Sequence, residues 1–177
     1  MCLNRRVFAY AKSIYDIEIQ FFTQQGVEYL LIDLDNTLDS YRLYYPTLRA
    51  INYINSLVDA GIKPIIVSNN RGKRVKTYSN FLQIDCISQA MKPFPKKIIE
   101  YLKANDISHD KVMIIGDQLM TDVGAANAAN IRVVLTDKIV SEDQWTTRFN
   151  RLFDRPLRKR MEKQGKLPNW RTLYGKS

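Results

Sequence analysis

The chain has 177 residues, 45% of them apolar and 25% charged, the balance of one globular domain with its own core. Its apolar runs fall far short of the roughly twenty residues that span a membrane, its first residues lack a secretory h-region and cleavage site, and Cys2 and Cys86 supply neither a disulfide framework nor a four-ligand zinc site; a cytoplasmic protein is expected. The net charge of +9 is uneven: ten Lys or Arg against Asp154 and Glu162 give 148–177 a balance of +8, leaving 1–147 at +1, so a near-neutral domain followed by a basic C-terminal extension is expected.

In chain order, Asp16 is placed to cap a short helix ending at Gly26, with Phe21 and Phe22 inward. Residues 28–34 are an almost wholly apolar run, the pattern of a strand covered on both faces. A helix over 46–60 follows, with Leu48, Ile51, Ile54 and Leu57 at helical spacing and Gly61 at its C-terminal cap. Next come a strand over 62–68, a polar turn, a helix over about 73–82, a short strand over 85–88 and a helix over 95–104. His109, the sole histidine, falls in a loop and reads as surface. A buried strand over 111–116, a helix over 120–129 and a last strand over 131–135 complete the series. Short buried strands alternating with helices imply an α/β fold: a single-domain, doubly wound parallel sheet with helices on both faces.

In such sheets the ligand crevice lies beyond the carboxyl ends of the strands. Three strands end there in polar clusters: Asp33-Leu34-Asp35-Asn36-Thr37, Ser68-Asn69-Asn70, and Gly116-Asp117 with Asp122 five residues on. Lys92, after the strand near Cys86, is a fourth candidate. A charge inside an apolar run is costly unless it has a purpose, which points to function for Asp33 with Asp35 beside it. The plainer alternatives are an N-cap role for Asp117, a solvated helix face for Asp122, turn duty for Ser68, Asn69 and Asn70, and a surface-accessible, extended Lys92 before Pro93. Three clusters at three strand ends favour metal binding by Asp117 and Asp122. The chemistry that needs such a set is hydrolysis of a phosphate monoester. A carboxylate can attack phosphorus only when the charge between them is neutralised, as an oxygen-seeking Mg2+ and a lysine can do, while a second carboxylic acid moves the proton.

These residues resemble the four motifs of the HAD superfamily: Asp33-x-Asp35-x-Thr37, Ser68, Lys92, and Gly116-Asp117 with Asp122. The likeness is closer to the YqeG family of subfamily IIIA, in Ile32 to Leu38, Val67-Ser68-Asn69-Asn70, Arg74-Val75-Lys76, Lys92-Pro93, Gly116-Asp117-Gln118-Leu119 and Thr121-Asp122-Val123, and runs from about Ser13 to Arg151. It implies a HAD-like Rossmannoid phosphatase domain over 1–147, with Asp33 as nucleophile and Mg2+ ligand. Asp35 would be general acid/base and give the metal its backbone carbonyl. Ser68 and Asn69 would form the phosphate-binding turn, Lys92 the cationic clamp, and Asp117 and Asp122 further metal ligands. An acid at 35 favours phosphatase over ion pump or dehalogenase. Two segments depart from the family: Asp39-Ser40-Tyr41 lacks an expected tryptophan, and Thr136-Asp137 replaces an apolar-proline stretch.

Other phosphatase chemistries find little support. One histidine cannot make a binuclear histidine site, Cys86 has Lys92 rather than arginine six residues on, and no Gly-rich nucleotide loop is visible. Asp33 to Ser68 spans 35 residues and Ser68 to Lys92 spans 24, too few for a cap domain in either gap. An uncapped crevice suits a phosphate carried on something large. Phe149, Leu152, Phe153, Leu157 and Met161 lie on one helical stripe among Arg151, Arg155, Arg158, Lys159 and Arg160, the pattern of a basic amphipathic segment at an anionic membrane. A stripe packed on the protein's own domain is the alternative, Pro156 is expected to start or break a helix, and RNA remains a lesser partner. The YqeG family is similar to mitochondrial and plastid phosphatases acting on phosphatidylglycerophosphate, which makes that lipid the leading substrate and peripheral contact with the inner membrane face an expectation. A soluble sugar or nucleotide phosphate, or an RNA- or ribosome-associated adaptor without activity, are the alternatives.

Overall fold

A computed structural model describes residues 5–139 and 145–174, the side chains of 145–153 excepted. One six-stranded sheet runs in the order β1-β6-β5-β2-β3-β4, every pairing parallel. Its strands are β1 (Ala9–Ala11), β2 (Tyr29–Asp33), β3 (Lys63–Val67), β4 (Asp85–Ile87), β5 (Val112–Gly116) and β6 (Arg132–Thr136). Helices α1 (Ile19–Gln24), α2 (Leu48–Asp59), α3 (Lys73–Leu82), α4 (Lys96–Ala104) and α5 (Gly124–Ala128) occupy the connections. After β6 come α6 (Trp145–Lys163) and α7 (Trp170–Leu173). The expected doubly wound α/β sheet is present. Among the described residues, a loop and α2 join β2 to β3, and α3 joins β3 to β4, with no cap domain in either connection.

The apolar strands are explained by cover on both faces. Leu30 and Ile32 face one core with Phe21, Phe22 and Ile54, whereas Leu31 faces the other with Ile98 and Leu102. The chain winds from β2 out to β3 and β4, then crosses to β5 and β6, so the winding reverses between β2 and β5. Ile32 pairs with Ile115, which brings Asp33 level with Gly116 at this switch point and leaves Asp117 one residue beyond.

Several expectations need correction. β1 was not anticipated; three residues, paired through Ala9 to Val134, are too few to show a period. The first helix begins at Ile19 after Glu18, while Asp16 lies in a 3-10 turn capped by Ser13. On α2 the inward stripe is Ala50, Ile54 and Leu57, and Leu48, at the first helical position, is 78% exposed. His109 is half-buried, its Nδ1 2.9 Å from the Ala129 carbonyl oxygen. The helix expected over 120–129 divides into a π-helical turn, Leu119–Val123, and α5. Pro156 lies inside α6, which continues through it.

The described C-terminal residues pack onto the sheet. Met161 is buried in the core beside α4 with Leu157 against it, and Trp170 is buried in the opposite core, its ring centroid 5.7 Å from that of Phe21. Tyr10 N–H of β1 donates to the Pro168 carbonyl at 2.7 Å. The Phe149, Leu152, Phe153 and Arg151 side chains of the expected stripe, and Cys2, lie outside the described residues. Among those described, no helix is long and apolar enough to cross a membrane.

Candidate active site

Asp33 ends β2 and is buried, with 6% of its surface exposed. Its Oδ1 accepts from Lys92 Nζ at 2.6 Å and its Oδ2 from Thr37 Oγ1 at 3.3 Å. The same ammonium donates to Asp122 Oδ1 at 2.6 Å and to the Val67 carbonyl at 3.0 Å, so all three of its donors are used. The Lys92 side chain is 3% exposed, not surface-accessible. Asn69 draws it in: its Nδ2 donates to the Lys92 carbonyl at 2.9 Å and its Oδ1 accepts the Lys92 N–H at 2.7 Å. Asn69 therefore holds the main chain that delivers the Lys92 ammonium.

Asp117 follows β5 directly and Asp122 stands on the π-helical turn; both are fully buried. The Gln118 N–H donates to Asp122 Oδ2 at 3.1 Å. Gly116 permits the approach, since a Cβ there would sit 2.5 Å from Asp122 Cβ, inside any tolerable contact. Asp33, Asp117 and Asp122 each offer a carboxylate oxygen, all within 4.8 Å of one another. Three carboxylates against one ammonium would leave two excess negative charges in a largely buried site. Burial above all, then Asp122, Asp117 and Asp35, push the Asp33 carboxyl well above its ordinary range, against the opposing pull of Lys92. For Lys92, burial would lower the pKa, but Asp122 and Asp33 outweigh it and hold the ammonium charged. An all-oxygen set with two surplus charges fits one hard divalent cation such as Mg2+.

Asp35 turns the other way, into a separate set of donors. Its Oδ1 receives Arg74 Nη1 at 2.7 Å; its Oδ2 receives Asn70 Nδ2 at 2.7 Å and Ser68 Oγ at 3.2 Å. Arg74 also donates from Nε to the Leu43 carbonyl at 2.7 Å and from Nη2 to that of Ser40 at 3.1 Å, tying the loop after β2 to α3. All seven expected site residues thus lie at the carboxyl ends of strands: Asp33, Asp117, Asp122 and Lys92 in one cluster, Asp35 and Ser68 beside it, and Asn69 behind Lys92. His109, in the turn before β5, stands at the opposite, amino-terminal end of the strands.

Sequence reasoning missed Asp39. It is buried and accepts Tyr78 Oη at 2.5 Å, Thr47 N–H at 2.9 Å and Thr47 Oγ1 at 3.0 Å, joining the loop to α2 and α3. Thr136-Asp137 also has a local reason: Asp137 accepts Tyr10 Oη at 2.7 Å and Arg158 Nη1 at 2.6 Å. Two residues on, the Ile139 N–H donates to the Asn36 carbonyl at 2.9 Å, so this segment abuts the loop after β2.

Comparison with known proteins agrees with this geometry. The HAD-hydrolase-like family model matches residues 89–153. A protein of Bacillus subtilis (strain 168), "Probable phosphatase YqeG", is 33% identical over 156 residues, covering 88% of this chain and 91% of its own. Among solved structures, an uncharacterized protein from Listeria monocytogenes serotype 4b superposes with a TM-score of 0.53 at 16% identity, covering 67% of this chain and 85% of that one. The hypothetical protein XCC2798 from Xanthomonas campestris gives 0.52 at 19% identity, covering 75% and 79%. At those identities the structural likeness speaks for the fold alone.

Proposed function

The chain belongs to the YqeG family of HAD-type phosphatases, and from that premise we propose that it is a Mg2+-dependent phosphatase in which Asp33 attacks the phosphorus of a monoester. The observation that carries this reading is the gathering of Asp33, Asp117 and Asp122 within 4.8 Å around the Lys92 ammonium at the sheet's switch point. These three carboxylates and the Asp35 carbonyl would hold a divalent cation, which would supply the positive charge that lets a carboxylate approach a phosphate dianion.

The chain's own groups carry the rest. An Asp33 carboxylate oxygen forms a bond to phosphorus as the ester oxygen leaves, and Asp35 gives that oxygen its proton. A water then attacks the aspartyl-phosphate, its proton passes back to Asp35, and the Asp33 carboxylate is released. The Lys92 ammonium and the turn at Ser68 and Asn69 take the phosphate oxygens, while Arg74, Asn70 and Ser68 orient Asp35.

For substrate we favour a phosphate on a large amphiphile, phosphatidylglycerophosphate in particular. The site is uncapped, and Tyr44, Tyr45, Met91, Phe94 and Ile139 stand exposed on the loops after β2, β4 and β6. Arg42, Arg71 and Lys73 add exposed cations to the loops after β2 and β3 and the start of α3. An anionic surface would also complement Arg155, Lys159, Arg160, Lys163 and Lys166, exposed on α6 and just after it. The test is phosphate release with Mg2+ from p-nitrophenyl phosphate, from phosphatidylglycerophosphate in mixed micelles, and from hexose and nucleoside monophosphates. A kcat/KM for the lipid at least ten-fold above the soluble esters is expected. A preference for a soluble ester defeats the lipid assignment, and no turnover of any defeats the reading.

A further inference from the structure

α6 reaches the metal-binding turn with two side chains one helical turn apart. Arg158 Nη2 donates to the carbonyl of Asp117 at 2.9 Å and to that of Thr136 at 2.8 Å, while its Nη1 pairs with Asp137 Oδ1 at 2.6 Å. Asp154, 2% exposed, accepts the Met120 N–H at 3.0 Å. Positions 154 and 158 lie on one face of the helix, so a single element holds the peptide of Asp117 and the backbone just before Asp122. We propose that Arg158 and Asp154 are positioning residues that fix the Asp117–Asp122 segment and thereby set the protein's affinity and selectivity for its divalent cation.

The argument is geometric. The guanidinium fork of Arg158 bridges the ends of β5 and β6 at once, across Asp117, Thr136 and Asp137, which a lysine's point charge cannot do. It grips the main chain of a proposed ligand rather than a remote part of the fold. Mg2+ requires near-ideal octahedral geometry, whereas Ca2+ accepts a looser shell. A turn released from α6 therefore loses Mg2+ before it loses Ca2+. Partners that orient metal ligands typically change affinity by about 10- to 100-fold when removed. The +8 segment of the sequence thus has an inward duty distinct from its exposed charges.

The inference rests on the metal reading of Asp33, Asp117 and Asp122, and the test separates the two. Mg2+ and Ca2+ binding are measured by calorimetry on the full chain, as wild type, Arg158→Ala, Arg158→Lys and Arg160→Ala, alongside thermal unfolding and the Mg2+ dependence of phosphate release. Expected is a loss of Mg2+ affinity of about ten-fold or more in Arg158→Ala, a smaller loss of Ca2+ affinity, partial recovery in Arg158→Lys, and no change in Arg160→Ala. KM for substrate at saturating Mg2+ should stay within about two-fold. If Arg158→Ala does not fold, Asp137→Asn, which loosens Arg158 while leaving both carbonyl contacts, should weaken Mg2+ two- to five-fold. Wild type that binds no divalent cation overturns the metal reading and this inference together. Wild-type binding that neither Arg158→Ala nor Asp137→Asn alters overturns the positioning role alone, as does an equal loss of Mg2+ and Ca2+.

Discussion

Replacing Gly116 by alanine tests how tightly the site is built. The added Cβ falls 2.3 Å from Cγ and 2.5 Å from both Cβ and Oδ2 of Asp122, where ordinary contact begins at 3.4 Å, so Asp122 has to retreat by about 1.1 Å. Its Lys92 contact, 2.6 Å in the wild type, then opens to about 3.7 Å and ceases to be a strong charge-assisted hydrogen bond. Loss of that bond costs about 1.5–3 kcal/mol, and the overpacking adds about 1–3 kcal/mol. A displacement near 1 Å at a reacting group costs on the order of 100-fold in rate. Gly116→Ala should therefore lower stability by about 2.5–6 kcal/mol in urea denaturation and cut kcat/KM for p-nitrophenyl phosphate about 100-fold at saturating Mg2+. A variant within 0.5 kcal/mol and three-fold of wild type would refute the close approach of Gly116 to Asp122.

Lys92→Met leaves two buried carboxylates without their cation; breaking such a pair costs about 3–5 kcal/mol. In thermal unfolding, the variant should melt well below wild type without metal and recover most of the difference on addition of Mg2+, with turnover still depressed about 1,000-fold. Trp170→Ala, although it lies in the basic C-terminal segment, removes a side chain 1% exposed in the core and should cost about 3–5 kcal/mol by urea denaturation while KM stays near wild type.

What the sequence could disclose follows from how far each contact reaches along the chain. Asp33, Ser68 and Asp117 stood out because each interrupts or ends an apolar strand, a signal contained within a few residues. The parallel pairing followed from the alternation of strands and helices, whereas the strand order, with β1 at one edge, did not. Lys92 could be picked out as a candidate, but its burial could not, because that depends on Asn69, 23 residues away, and on Asp122, 30 residues away. Asp39 looked like a loop departure because its partners Thr47 and Tyr78 come from two different helices. The stripe through Leu157 and Met161 was legible as amphipathic, but periodicity does not say whether lipid or protein covers it. Arg158 was legible only as a charge; its grip on the carbonyls of Asp117 and Thr136 exists only once α6 folds back across the sheet edge.

The most direct measurement of the central claim is chemical capture of the covalent state. Enzyme turning over p-nitrophenyl phosphate with Mg2+ is quenched and reduced with borohydride, which converts an acyl phosphate of aspartate to homoserine, and the peptide carrying residues 33 and 35 is sequenced by mass spectrometry. The account predicts homoserine at position 33, aspartate retained at 35, and no conversion in Asp33→Asn or without Mg2+. Active enzyme with position 33 unconverted, or conversion at Asp35 instead, would contradict it.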